Sequence, residues 1–244
     1  MKTVATITAR MTSSRLPGKV LLDCLGRPML HRLVERVRRC PHLDHIVVST
    51  TTNPEDDVVV AAARELGVGC FRGDEHDVLG RVVGAMEAAG ADLVVQLTGD
   101  CPLLDPEVIG QLIRIHQSNT FDYVSNTLVR SYPRGLDCQV LPFEVLRESL
   151  RLASDPAQHE HVCLAVYERP ERFRLFNLMA PPSLCYPAWR WTLDTEDDYR
   201  FILAVYEALY PTNPAFTSDD VARLLHARPD IAALNAAIVQ KAVR

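Results

Sequence analysis

Asp92-Leu-Val-Val-Gln-Leu97, followed by Thr98-Gly-Asp-Cys-Pro-Leu103, is the stretch on which the fold turns. An apolar run this short, cut off by a Gly-Asp-x-Pro turn, has the length and composition of a strand buried on both faces. Helical patterns flank it, His76 to Ala89 before and Pro106 to Gln117 after. Further upstream the same alternation repeats. Thr3 to Ala9 is a β-branched apolar run, and Met29 to Arg39 is helical, with Leu30, Leu33, Val34 and Val37 on one face. Ile46 to Thr50 is a second strand. Pro54 to Leu66 is a helix that Asn53 is placed to cap and Gly67 to end, and Val68 to Phe71 is a short strand. Strands alternating with helices predict an α/β fold, a mostly parallel central sheet flanked by helices. Ligands of such sheets sit at the carboxyl ends of the strands, so the polar segments after 3–9, 68–71 and 92–97 are expected to converge.

The second half is less regular. Tyr123 to Asn126, Leu136 to Leu141, Phe173 to Leu178 and Trp189 to Leu193 have strand character. Phe143 to Leu152, Ala157 to Tyr167 and Glu196 to Leu209 have helical character, and two more helices follow Ser218 and Pro229. No repeat or linker interrupts the 244 residues. The expectation is one continuous domain over 1–244, with an inserted substrate lobe at about 125–180. A formal net charge of -5 disfavours a nucleic-acid partner, whereas a small phosphorylated ligand needs only a local cluster of cations. Seven scattered cysteines without a CxxC pair fit a reducing compartment. The N-terminal run is too short for a signal peptide or membrane span, so a cytoplasmic protein is expected.

Three segments carry candidate chemistry. Arg10-Met-Thr-Ser-Ser-Arg-Leu-Pro-Gly-Lys19 follows a buried strand with three hydroxyls and three cations, a composition suited to phosphate oxygens, although an ordinary solvated loop has it too. Its spacing is not that of a Walker A loop. Asp100 follows the strand at 92–97. Its carboxylate suits Mg²⁺, and it equally suits capping the turn before Pro102. Asp194 ends the Trp189–Leu193 run, ahead of Thr195 and the acidic Glu196, Asp197 and Asp198, which fit the first turn of a helix. Two carboxylates from distant strands suit one metal ion held against a triphosphate.

Arg10 to Lys19, then Gly26-x-Pro28-Met-Leu, Phe71-Arg-Gly-Asp-Glu-His-Asp-Val-Leu-Gly-Arg81, Thr98 to Leu103, Asn126, Tyr132-Pro-Arg-Gly-Leu-Asp137, Glu160-His-Val162 and Leu193 to Tyr199 together resemble the cytidylyltransferases. These include the synthetases of CMP-activated 3-deoxy-octulosonate and acylneuraminate, and the spore-coat polysaccharide branch is the nearest in motif. The resemblance implies a Rossmann-like nucleotide-diphosphosugar transferase fold and CMP transfer from CTP to a sugar acceptor in glycan biosynthesis, with Mg²⁺ as cofactor and a homodimer as assembly. It implies a nucleotide site at Ala9, Arg10, Met11, Ser13, Ser14, Arg15, Lys19, Arg81, Thr98 and Gly99, with Lys19, Arg15, Asp100 and Asp194 catalytic. Asp100 and Asp194 would hold the metal. The sugar site would be bordered by Asn126, Arg134, Asp137, Gln139, Glu160 and His161. Arg134 and Gln139 stand where related sequences are often acidic, which points to an acidic acceptor, a 3-deoxy-2-keto sugar acid.

Other features have plainer readings. His159-Glu-His-Val-Cys163 lacks the H-E-x-x-H spacing of a zinc site. Trp189, Trp191 and Tyr199 suit core packing, and so do the cysteines. Arg36, Arg38 and Arg39 suit a solvated helix face, and Lys241 a solvated terminus. Two rival functions are a glycosyltransferase or other sugar nucleotidyltransferase, and a non-catalytic nucleotide-sugar sensor. Asp100-Cys-Pro102 lacks the DxD pair of the former, and a sensor has no need of the Lys19, Asp100 and Asp194 set.

Overall fold

The computed structural model describes residues 1–240; Lys241 lies outside them. Seven strands form one sheet: β1 (Thr3–Thr8), β2 (His45–Thr51), β3 (Gly69–Gly73), β4 (Leu93–Thr98), β5 (Tyr123–Ser125), β6 (Gln139–Pro142) and β7 (Leu175–Asn177), in the order β3-β2-β1-β4-β6-β5-β7. β1 to β4 are parallel. β6 runs antiparallel between β4 and β5, and β7 lies parallel to β5 at the edge. The stretch 92–97 is a strand, as expected, and it lies at the centre of the sheet. β4 pairs with β1 on one side, Thr98 opposite Thr8, and with β6 on the other, Gln96 opposite Gln139.

Both faces of the sheet are covered, as its apolar strands require. Ala5, Ile7, Leu93, Val95 and Leu97 pack into one core with α1 (Met29–Val37), α2 (Asp57–Glu65), α4 (Pro106–Gln117), α8 (Glu196–Leu209) and α9 (Ser218–Ala227). Val4, Val47 and Val94 pack into the other with α3 (Val78–Ala89), α5 (Phe143–Leu152) and the short α7 (Leu164–Tyr167). Alternate residues of one strand thus serve opposite cores, which is the two-residue period of a strand. A short helix, α10 (Pro229–Ala233), closes the described fold.

Several expectations are corrected. Trp189–Leu193 is not a strand; its sole ladder contact is a bridge from Arg190 to Arg134. Its backbone is spent on two loops instead: Trp191 N donates to Arg134 O at 2.6 Å and Leu193 N to Asp100 O at 2.8 Å. The helix expected over Ala157–Tyr167 breaks into α6 (Pro156–Glu160) and α7, with His161 leaving the helical region at φ -104, ψ 91. Asn53 makes no capping bond; its Nδ2 donates to Glu75 Oε2 at 2.6 Å. Arg36 is buried, not solvated. Its guanidinium stacks 4.2 Å over Phe216 and donates to Leu104 O and Phe216 O, so a cation–π contact and two carbonyls replace water. Trp191 is a core residue with Trp189 stacked beside it, but Cys70 and Cys185 are exposed while the other five cysteines are buried. Asp198 does cap its helix, as expected: it completes a capping box with Thr195, and it is fully buried. No helix among the described residues is long and apolar enough to cross a membrane.

Candidate active site

The strand order reverses at β1, which has β2 on one side and β4 on the other. A crevice opens there, beyond Thr8 and Thr98. Two adjoining cavities occupy it, of roughly 400 and 350 Å³. Thr8, Val78, Thr98, Glu160 and His161 line both and form the seam between them.

The first cavity collects the loop after β1. Met11 N donates to the buried Asp56 Oδ1 at 2.7 Å, and Asp56 Oδ2 takes Thr51 N, so one carboxylate ties the loop to β2. Gly18 N returns to Met11 O at 2.9 Å, and a 3₁₀ turn over Lys19–Leu21 aims Lys19 inward. Lys19 Nζ lies 3.0 Å from Asp100 Oδ2 and 2.7 Å from Asp194 Oδ1. Burial lowers the proton affinity of this ammonium, yet the two carboxylates outweigh it and hold the Lys19 pKa above the ordinary value. Asp194 is the mirror case: burial pushes its carboxyl up, but Lys19, Arg15 and Arg190 hold it below the usual range. Arg15 reaches Asp194 Oδ2 at 3.1 Å and Arg190 reaches it at 2.7 Å. Arg10 pairs with Glu75 at 3.3 Å, and Glu75 also accepts from Thr12 and Asn53.

Ala9, Arg10, Ser13, Ser14, Arg15, Lys19, Arg81, Thr98, Asp100 and Asp194 all line this cavity, so the sequence expectation gathers into one place. Met11 and Gly99 do not line it. Met11 serves through its backbone and packs on Gly18. Gly99 lies under the end of β1, where a Cβ would come within 2.8 Å of Thr8 O; the close approach of two strand ends requires a glycine there.

The second cavity takes in Arg134, Asp137, Gln139, Glu160 and His161. Gly135, at φ +107, packs against the Trp191 backbone, where any Cβ would clash at 2.5 Å, and so holds Arg134 and Asp137 to the cavity wall. Asp137 is neutralised by a fork-to-carboxylate pair with Arg130, at 2.6 and 2.9 Å. The half-buried Arg134 guanidinium makes no hydrogen bond or ion pair among the described residues, and burial followed by the nearby Arg130 lowers its pKa. Asn126 does not border the cavity. It is fully buried and laces the wall from behind, donating to Leu136 O at 2.8 Å and accepting from Cys138 N at 3.0 Å. His159 turns away to Asp77, 2.7 Å from its Oδ1 at the start of α3, which anchors α6 beside the seam.

Sequence reasoning missed Asp56, Glu75, Arg130, Arg190 and Asp198 as partners. For Arg190 a signal was available: it stands four residues before Asp194 and eight before Asp198, and it pairs with both.

Asp100 Oδ2 and Asp194 Oδ1 face one point from two separate segments, a donor set that fits a hard divalent cation whose remaining positions are filled by water and phosphate. Cations on one side, two convergent carboxylates in the middle and an adjoining polar cavity suit a phosphorylated ligand beside a hydroxylated one.

Comparison with known proteins agrees with that chemistry. A cytidylyltransferase family model matches residues 4–178. Spore coat polysaccharide biosynthesis protein SpsF of Bacillus subtilis is 34% identical over 231 residues, 93% of this chain and 95% of SpsF. The 3-deoxy-manno-octulosonate cytidylyltransferase of Nitratidesulfovibrio vulgaris is 43% identical over 112 residues, 44% of this chain and 43% of that enzyme. A solved cytidylyltransferase from Leptospira borgpetersenii superposes with a TM-score of 0.92 at 28% identity, covering 98% of this chain and all of that one. With a matching model over most of its length, and with its cations and carboxylates gathered at the switch point of the sheet, the chain belongs to the cytidylyltransferases, nucleotidyltransferases that act on sugars.

Proposed function

We propose that the protein transfers CMP from CTP to a hydroxyl of a 3-deoxy-2-keto sugar acid, releases pyrophosphate and depends on Mg²⁺. The observation that carries the acid is Arg134, a half-buried guanidinium with no partner among the described residues, in the cavity next to the phosphate-binding one. A carboxylate is the group such a fork binds best. The neighbouring Asp137 is already satisfied by Arg130, so Arg134 is left to the acceptor. The name of the 3-deoxy-manno-octulosonate cytidylyltransferase points the same way, and that of SpsF points to a role in polysaccharide biosynthesis.

In this reading Arg10, Ser13, Arg15 and Lys19 bind the phosphates, and Arg81 and Thr98 flank the nucleotide. Asp100 and Asp194 hold Mg²⁺, which supplies charge neutralisation at the phosphates. The acceptor lies against Arg134, Gln139 and Glu160, with its reacting hydroxyl at the seam. The hydroxyl oxygen forms a bond to the α-phosphorus, and the bond from that phosphorus to the pyrophosphate oxygen breaks. Lys19 and the arginines stabilise the charge on the departing pyrophosphate. Glu160 and His161 are the seam side chains able to take the hydroxyl proton. The same reading makes the enzyme a cytoplasmic homodimer.

The test is pyrophosphate release from CTP, UTP, ATP or GTP offered with 3-deoxy-manno-octulosonate or with a neutral hexose 1-phosphate, with Mg²⁺ and with EDTA. Release with CTP, the sugar acid and Mg²⁺ alone is expected. Turnover of the neutral sugar phosphate instead would discard the acidic acceptor, and turnover in EDTA would discard the metal.

A further inference from the structure

The cations named for phosphate binding already have carboxylate partners within the protein. Arg10 is held by Glu75, Arg15 by Asp194, and Lys19 by Asp100 and Asp194 together. Behind them Arg190 binds the buried Asp198 through Nε and Nη2 and still reaches Asp194. Around the point where the two cavity carboxylates converge, Asp100, Asp194 and Asp198 therefore face Lys19, Arg15 and Arg190. Three negative groups are matched by three positive ones, with an ammonium at hydrogen-bond distance from both prospective metal ligands. A divalent cation arriving alone meets no surplus of negative charge. It must also displace the Lys19 ammonium from two carboxylates at once, at 3.0 and 2.7 Å. A triphosphate changes both terms, because it brings negative charge and fresh acceptors for Lys19 and Arg15.

The backbone is arranged for such an exchange. Gly18 in the left-handed region and the bond from its N–H to Met11 O fix where Lys19 starts, and the buried Val20 anchors the chain on its other side. The four-carbon stem of Lys19 is then free to carry the charge from one set of oxygens to another.

We propose that Lys19 is the resident cation of the free enzyme, occupying the Asp100–Asp194 pair until a nucleoside triphosphate draws it away, so that divalent metal enters with the nucleotide and not before it. This rests on the cytidylyltransferase reading for the identity of the nucleotide, but the competition itself belongs to the free protein.

The experiment is Mn²⁺ titration of the full chain without nucleotide, followed by the free-ion signal in electron paramagnetic resonance, with melting curves to verify that each variant is folded. Lys19→Met and Lys19→Gln are each expected to bind Mn²⁺ at least about tenfold more tightly than the wild type, because an opposing unit charge next to the site is gone. Lys19→Arg should stay with the wild type, and adding Asp194→Asn to Lys19→Met should erase the gain. Equal affinity in the wild type and both neutral variants would overturn the proposal. So would an equal gain in Lys19→Arg, or a gain that survives Asp194→Asn. Failure of the pyrophosphate-release assay would instead leave the Mn²⁺ comparison standing, since it uses neither nucleotide nor acceptor.

Discussion

The two cavities at the switch point are built on opposite electrostatic plans. In the first cavity Arg10, Arg15 and Lys19 each rest on a carboxylate of the protein. In the second cavity Arg130 is consumed by Asp137, and Arg134 is left without a partner among the described residues. A ligand of the first cavity exchanges partners that are already satisfied. A ligand of the second meets a group that burial has partly stripped of water and nothing has replaced. The first arrangement tolerates an empty site at little cost, and the second rewards one particular acceptor group. On the proposed function, general phosphate chemistry thus sits on the regular half of the sheet, and selectivity on the irregular half.

The contrast breaks most visibly at the carboxylates. On the proposed function, Asp100→Asn and Asp194→Asn should each lower kcat by on the order of a hundredfold or more, because a charge proposed to bind metal is lost from the centre of the site. Steady-state rates at saturating Mg²⁺ measure this, and near-normal turnover in either variant removes that residue from the metal site. At the seam, His161→Gln keeps the shape but cannot take a proton, and a fall in kcat of roughly a hundredfold with the KM for CTP unchanged is expected. A change confined to KM would make His161 a binding residue only. In the acceptor cavity, Arg134→Ala should raise the KM for the acidic acceptor about tenfold, below the figure for a fully buried pair because Arg134 is half exposed. CTP affinity, followed by calorimetry, should not move. If it does, the two cavities are not separable in the way their charges suggest.

The regular half was legible because its periodicities are strong and its chemistry lies at strand ends. A buried run such as Leu93–Thr98 fixes where the following loop must point, and Asp100 with it. The misreadings share one physical cause, in that local pattern was overridden by partners distant in sequence. Trp189–Leu193 has the composition of a strand, but its N–H groups go to Arg134 and Asp100. Ala157–Tyr167 has helical periodicity, but the chain bends at His161 and presents that residue to both cavities. Arg36 looks like a surface cation until Phe216, 180 residues away, supplies a ring and a carbonyl. Asn126 stands within a motif that borders the cavity, yet its amide is used up behind the wall. At Asn126 and His161 the residue type was informative, and only the three-dimensional partner could assign the role.

The bond from Trp191 N to Arg134 O, with Gly135 pressed against the Trp191 backbone, has a consequence for altering this enzyme. It makes residues 134–137 and the segment leading to Asp194 one rigid piece of main chain. Inserting or deleting a residue between Tyr132 and Asp137 would shift the Asp194 carboxylate, the proposed metal ligand. Exchanging the side chain at position 134 would leave that frame in place. A library aimed at new acceptors is therefore best confined to side chains at 130, 134 and 139, with loop length held fixed and residue 135 kept as glycine.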